Sequence, residues 1–395
     1  MAKVKDIAMQ IRGVSYHPED LHDNLDEDSV VLLRANNIKD GKLILDDVVY
    51  VSKSKVAEQQ YLQTDDILIC ASSGSKELVG KAAFVDSVKN PMTFGAFCKV
   101  VRPQPEYSEY LGHYFNSPVY RRKISALSAG ANINNIKNEH IDNLDIQLVD
   151  EKKRREIITI LNELNMLISL RKQQLFKLDE LAKARFVEMF GDPINNPMKW
   201  IVSKIEDIAA QEKNALKAGP FGSALKKEFY VKSGYKIYGQ EQVICGDASF
   251  GDYYIDEEKY KELKNCAVQA GDILISLVGT YGKTLIMPDN YEAGIINPRL
   301  MKITLNKNKV TPIYFKYYFE SDALKASMDA NTHGGTMGIL NLGIIRQMKI
   351  QVPPLSIQNQ FAIFVERVDQ QKQTVQQGLE KLELMKKALM QEYFG

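Results

Sequence analysis

The sequence predicts an α/β chain of mixed α+β type made by internal duplication, with two similar compact domains and two long helices that pair as an antiparallel coiled coil. Three observations predict this. Short motifs return in the same order about 200 residues later: Lys3-Val4-Lys5-Asp6-Ile7-Ala8 as Lys204-Ile205-Glu206-Asp207-Ile208-Ala209, Asp66-Ile67-Leu68-Ile69 as Asp272-Ile273-Leu274-Ile275, and Asp145-Ile146-Gln147-Leu148 as Lys349-Ile350-Gln351-Val352. That period is too long for a solenoid repeat and fits a duplicated globular module. Each copy closes on about 40 residues whose apolar positions advance by alternating steps of four and three, the pattern of a helical seam. The rest of each copy consists of short β-rich runs punctuated by Gly, Pro, Asn and Asp.

Taken in order, residues 1–150 form the first domain, with strand-like runs at 30–33 and 67–70. Residues 151–191 contain no Pro, and no Gly before Gly191, so they read as one long helix. Its seam is Ile157, Leu161, Leu164, Ile168, Leu175, Leu178 and Ala182, interrupted at Arg171. Plain core packing would also give an apolar stripe, but 40 residues span roughly 60 Å at 1.5 Å per residue, which favours a spacer. Gly191-Asp192-Pro193 and Pro197 end the helix, because neither prolines nor this glycine can continue it, and 192–200 is a linker. The second domain occupies 201–352, with strand-like runs at 273–277 and 301–305. After Pro353-Pro354 the last helix fills 353–395, with the seam Phe361, Val365, Val368, Val375, Leu379, Leu382 and Leu389, interrupted at Lys372 and Lys386. With the helices antiparallel, the domains are expected at opposite ends of a rod.

Composition narrows the class. The 395 residues are 45% hydrophobic and 26% charged, enough for two ordinary cores, and no run of eighteen apolar residues suggests a membrane span. The amino terminus carries Lys3, Lys5, Asp6 and Arg12 and lacks the apolar stretch of a signal peptide. Cys70, Cys98, Cys245 and Cys266 show no metal-ligand spacing, so reduced thiols in a cytoplasmic protein are expected. A net charge of +1 leaves any nucleic-acid binding to local patches.

The search for chemistry returns decoys. Gly279-Thr280-Tyr281-Gly282-Lys283-Thr284 follows an apolar strand as a phosphate-binding loop would, but such a loop needs glycine five positions before Gly282, where Leu277 stands. Leu285-Ile286-Met287-Pro288 follows instead of a helix. The first-copy counterpart, residues 72–81, has a different spacing and is followed by Ala82. His17, His22, His113, His140 and His333 form no ligand-spaced pair, and no nucleophile elbow, zincin helix or dinucleotide fingerprint occurs. Asn297-Pro298-Arg299 lacks the second proline and the aromatic of an amino-methyltransferase motif. No catalytic residue, metal or cofactor is expected in this chain.

Several stretches carry a resemblance. Gly219-Pro220-Phe221-Gly222-Ser223-Ala224-Leu225-Lys226-Lys227, the strand at 271–276, the run at 32–41, Pro353-Pro354-Leu355 with Gln358 and Gln360, and Phe186-Val187-Glu188-Met189-Phe190-Gly191-Asp192-Pro193 are similar to the specificity subunits of Type I restriction-modification systems. One departure is Val149-Asp150-Glu151 in the first copy, where the second has Pro353-Pro354-Leu355. The resemblance implies two target recognition domains that read a split, asymmetric double-stranded DNA sequence, one half-site each, with the helices fixing the gap. It implies two adenine methyltransferase (modification) subunits docked along the helices, and ATP-dependent restriction subunits. S-adenosylmethionine, ATP and Mg2+ would belong to those partners. A recognition fragment of a self-contained restriction enzyme, or a coiled-coil scaffold that never touches DNA, are the alternatives.

Base edges suit Arg, Asn, Gln, Ser and Thr on loops, and phosphates suit Lys and Arg. In the first domain the candidates for DNA contact are Arg34, Asn36, Asn37, Ser72, Ser73, Ser75, Lys76 and Lys81. In the second they are Ser223, Lys226, Lys227, Gln240, Thr280, Tyr281 and Lys283. Loops at 128–132 and 331–336 are a further matched pair.

Overall fold

The computed structural model describes residues 1–75, 77–129, 135–332 and 340–395, without the side chains of 128, 129, 331 and 332. The chain divides into two compact units, the first made of 1–172 with 376–395 and the second of 173–375, so each long helix contributes one part to each unit.

The first unit holds two four-stranded sheets. One runs in the order Ala8–Arg12, Cys98–Pro103, Ile67–Cys70, Ala82–Phe84, antiparallel throughout. The other runs Met92–Phe94, Ser29–Leu33, Val49–Ser52, Leu21–His22, with its first pair parallel. Ile67–Cys70 is buried at every position, which is why it reads as a continuous apolar run without alternation. Ile67 and Ile69 pack on one face beneath Tyr110, Tyr114 and Phe115 of the helix Ser108–Phe115, while Leu68 and Cys70 belong to a separate core with Leu33 and Phe94.

The second unit repeats this plan strand for strand. Its sheets run Leu216–Ala218, Leu300–Ile303, Ile273–Ser276, Thr284–Ile286 and Gly294–Ile296, Tyr235–Tyr238, Tyr254–Ile255, Tyr230–Val231, again with one parallel pair at the start of the second sheet. The duplication extends to strand order and pairing sense. In both copies the domain opens and closes on one small antiparallel pair, Ala2–Lys3 with Asp145–Ile146 and Ile201–Lys204 with Lys349–Val352.

The long helices are Glu151–Phe190 and Leu355–Phe394, 40 residues each. In the first unit Ile157 and Leu161 share a core with Met390 and Phe394. In the second, Leu178 and Ala182 pack with Val368 and Val375, and Phe186 and Phe190 set their rings 5.5 and 5.4 Å from Phe361. Within each unit, late residues of one helix meet early residues of the other, so the pairing is antiparallel. Ile168, Leu175, Leu382 and Leu389 of the expected seam are half-buried, whereas Phe186, Phe190, Met390 and Phe394, absent from it, are buried. These four aromatic and Met side chains leave the seam and plug the domain cores. Of the polar interruptions, Lys372 pairs with Asp179 at 2.6 Å, and Lys172, next to Arg171, pairs with Glu383 at 3.2 Å. Exposed pairs of this kind contribute about 0–1 kcal/mol, so they set register more than stability.

His113 ties its helix to the central one: its Nε2 lies 2.9 Å from Asn162 Oδ1, and Asn162 Nδ2 donates to Glu109. Burial, opposed by that bond and reinforced by Lys386, lowers the His113 pKa to about 4. An unfolded histidine near 6.5 binds its proton first as pH falls, so stability is complete above that value and is lost as pH drops toward 4, by roughly 3 kcal/mol in all. Urea midpoints of wild type and His113→Gln at pH 7 and pH 5 are expected to converge at the lower pH; equal pH sensitivity in both would refute this assignment.

Candidate nucleic-acid interface

In each unit four loops meet at one end of the two sheets, fastened by backbone bonds. In the first unit these are 13–16, 34–37, 71–75 and 95–97. Val14 N–H donates to Phe94 O at 2.8 Å, Gly95 N–H to Leu33 O at 2.9 Å, and the amides of Ala71 and Ser72 both donate to Phe97 O. In the second unit Gly219 N–H donates to Leu300 O, Asn297 N–H to Tyr238 O and Leu277 N–H to Arg299 O. Gly13 and Gly219 mark the closest approach: a Cβ would lie 2.1 Å from Gly95 O in one and 1.9 Å from Asn297 O in the other. Only glycine fits at either place. The copies are therefore in register here, 206 residues apart at Gly13/Gly219 as at Asp66/Asp272, after 201 at Lys3/Lys204.

The expected residues fall on these loops with different roles. Arg34 and Asn36 share Asp47, at 3.1 and 2.6 Å, and Asn36 is exposed. Asn37 is a correction. It is 1% exposed, its carboxamide accepts from Arg34 N–H and donates to the carbonyls of Ile44 and Asp47, and nothing of it is left for a ligand. Its counterpart is the equally buried Gln242, which accepts from Gly239 N–H and donates to Phe250 O. Both are clamps that shape the loop. Ser72, Ser73 and Lys81 are half-buried, and Ser75 is exposed. Lys76 lies outside the described residues, as do most of the loops expected at 128–132 and 331–336.

In the second unit Ser223, Lys226 and Lys227 stand exposed on two short turns, Gly222–Ala224 and Lys227–Phe229, with Glu228 3.5 Å from the Lys226 ammonium. Thr280 and Lys283 are exposed on the neighbouring loop. Two expectations change role: the Gln240 amide donates to Ser276 Oγ and Val278 O, and the Tyr281 hydroxyl bonds Asp329, so both brace the loops from within.

Sequence reasoning missed the residues contributed by the first and fourth loops. Phe97 is 71% exposed and Phe221 88%, each on a turn at the loop end. An apolar ring held out on a polar loop suits a thymine methyl or a base step. The available signal was an aromatic set among turn residues, Gly95-Ala96-Phe97 and Gly219-Pro220-Phe221-Gly222. Arg299 is exposed in the second unit, and in the first Arg12, Lys99 and Lys137 line a cleft of about 610 Å³. Among the described residues no group of three His, Cys, Asp or Glu side chains is placed to hold a metal ion, and no helix is long and apolar enough to cross a membrane.

Comparison with known proteins fits this duplicated geometry. Residues 10–180 and 197–384 each match the family described as Type I restriction modification DNA specificity domain. The chain is 31% identical to the Type I restriction enzyme EcoKI specificity subunit of Escherichia coli K12 over 392 residues, 94% of this chain and 81% of that one. It is 28% identical to the StySPI specificity subunit of Salmonella potsdam, over 93% of this chain and 81% of that one. Among solved structures it superposes, with TM-score 0.58 and 15% identity, on a chain from a structure of complex assembly and conformational transition of the type I R-M system, covering 99% of this chain and 96% of that one. The S subunit of a Type-I restriction-modification system from M. genitalium gives TM-score 0.50 at 13% identity, covering 100% and 95%.

Proposed function

The chain belongs to the Type I restriction modification DNA specificity family, and from that premise we propose that it is the DNA sequence-recognition subunit of such a system, non-catalytic by itself. Each domain reads one half of a split, asymmetric target. The observation that carries this is the four-loop end, built twice on two equivalent backbone bonds, Gly95 to Leu33 with Asn297 to Tyr238 and Ala71 to Phe97 with Leu277 to Arg299, and on one equivalent glycine contact, but furnished with different side chains. Two equal frames with unequal residues are what two different half-sites require, since phosphate contacts place a protein on the duplex and base contacts distinguish sequences.

The reading assigns two modification subunits to the long helices and restriction subunits to the full assembly, with S-adenosylmethionine, ATP and Mg2+ held by those partners in the cytoplasm. Apolar side chains stand exposed on the helix surface away from the seam, Met166 and Leu170 in the first unit and Leu181 in the second. Such positions favour burial under another protein.

Expression of the chain with its modification subunits in a host free of other adenine methylation is expected to produce methylated adenines in one split sequence, and neither component alone should do so. Read by fluorescence anisotropy, the isolated chain, with net charge +1, is expected to bind DNA weakly and the assembled complex tightly, with affinity falling as salt rises. Tight, sequence-specific binding by the chain alone, or methylation that does not depend on it, would overturn the reading.

A further inference from the structure

Arg12 closes the strand Ala8–Arg12, Lys99 lies second in Cys98–Pro103, and the two are direct partners in the antiparallel register. Like charges placed opposite each other across a strand pair are destabilising. Lys99 is also buried, and that burial, together with Arg12, holds its ammonium below the ordinary lysine range despite Asp142 nearby. Among the described residues neither cation has a salt bridge; Lys99 Nζ donates to Asn138 Oδ1, and the Asp142 carboxylate is taken by Gln10.

The fold does not need these charges. At the same register in the second copy Ala218 faces Met301, beside Gly219 as Arg12 stands beside Gly13. An apolar pair suffices there, so the strand pairing itself does not require the two charges of the first copy. Both cations open into the cleft of about 610 Å³, whose wall adds the exposed Lys137, Ser15 and the amides of Asn135 and Asn138. Arg12 and Lys99, with Lys137, whose exposed ammonium also lies 3.4 Å from Glu139, and hydroxyl and amide donors, present on the loop end a complement to a phosphate oxygen pair.

We propose that this cleft is a phosphodiester-binding subsite of the first domain with no counterpart in the second. The inference rests on the DNA-reading role and adds an asymmetry to it: one half-site is gripped by its backbone more strongly than the other, with no base read by these residues.

The test uses the full chain assembled with its modification subunits and a target duplex, with Kd measured by anisotropy across a salt series. Arg12→Ala with Lys99→Met installs the residues of the second copy and is expected to weaken binding, to lower the slope of log Kd against log salt by about one to two, at roughly 0.9 per phosphate contact, and to leave both halves of the methylated sequence unchanged. The exposed Lys137→Ala, which carries little folding risk, should lower the slope by about one and keeps the test open if the double variant melts lower. If wild type binds DNA and all slopes are equal, the subsite is refuted while DNA reading stands. A changed first half-site would instead make these residues base readers, and competition by inorganic phosphate at constant ionic strength would make the cleft a free-anion site; either overturns the proposal. Failure of the wild-type complex to bind DNA at all would remove the underlying role together with the inference.

Discussion

Exchange of residues 201–352 for the equivalent stretch of a relative is expected to change one half of the methylated sequence and leave the other half intact. The cut points are structurally adjacent, because Ile201–Lys204 pairs with Lys349–Val352 and closes the domain on itself. The core of this domain's second sheet, with Ile237, Tyr238, Leu274, Ile295 and Leu300, is internal to the exchanged segment. The other core is not: Phe186, Phe190, Phe361 and Val365 of the helices enter it against Tyr314 and Phe315. A donor domain must therefore keep aromatic residues at 314 and 315, or the exchange will fail through packing and not through recognition. Each wrong base pair in a site costs roughly 1–3 kcal/mol, so methylation at the original sequence should fall by about fivefold or more per altered base while the new sequence appears. Single-molecule methylation mapping reads both halves at once. A wholly altered sequence, or loss of methylation from a complex that still assembles and melts normally, would show that the two domains do not read independently.

The parts of this architecture that were legible in the sequence are those in which burial alone fixes residue type. Ile67–Cys70 and Ile273–Ser276 are covered on both faces, so each copy repeats an apolar run after an aspartate. The heptad pattern likewise identified the faces of the long helices. It could not reveal that Phe186, Phe190, Met390 and Phe394 leave the seam for the domain cores, because a period tells which face is apolar and not what covers it. The loop end was harder. Loops 13–16 and 219–222 share a single glycine, kept by a backbone contact, and the side chains beside it differ. Asn37 was misread because a polar residue in a polar loop looks the same whether its amide points inward or outward. Only Gln242, four residues past the equivalent strand end as Asn37 is past Leu33, marks the position as a clamp, and its identity differs from Asn37.

The largest stability effect is expected at Asp272. This carboxylate is fully buried, accepts from Gln269 N–H and Thr304 Oγ1, and pairs with Lys302 Nζ at 2.9 Å. Asp272→Ala leaves the buried Lys302 ammonium without its counter-charge, a loss of about 3–5 kcal/mol. The first copy holds its equivalent, Asp66, by a different residue: Arg102, with Nε 2.7 Å from Oδ1 and Nη2 2.8 Å from Oδ2. By register Arg102 corresponds to Thr304, and Lys302 to Val100, on the same face of the same strand. The cation thus stands two residues apart along the strand in the two copies while the carboxylate keeps its place. Lys302→Val alone should destabilise by a similar amount, because it strands the carboxylate. Adding Thr304→Arg rebuilds the first-copy arrangement, in which a bidentate guanidinium satisfies both oxygens, and should recover most of the loss. Thermal melting of the assembled complex, with methylation of the second half-site as the functional readout, compares the four proteins. Asp272→Ala behaving like a surface substitution, or the double variant faring no better than Lys302→Val, would mean that the pair contributes little and that the shifted cation is not a compensation.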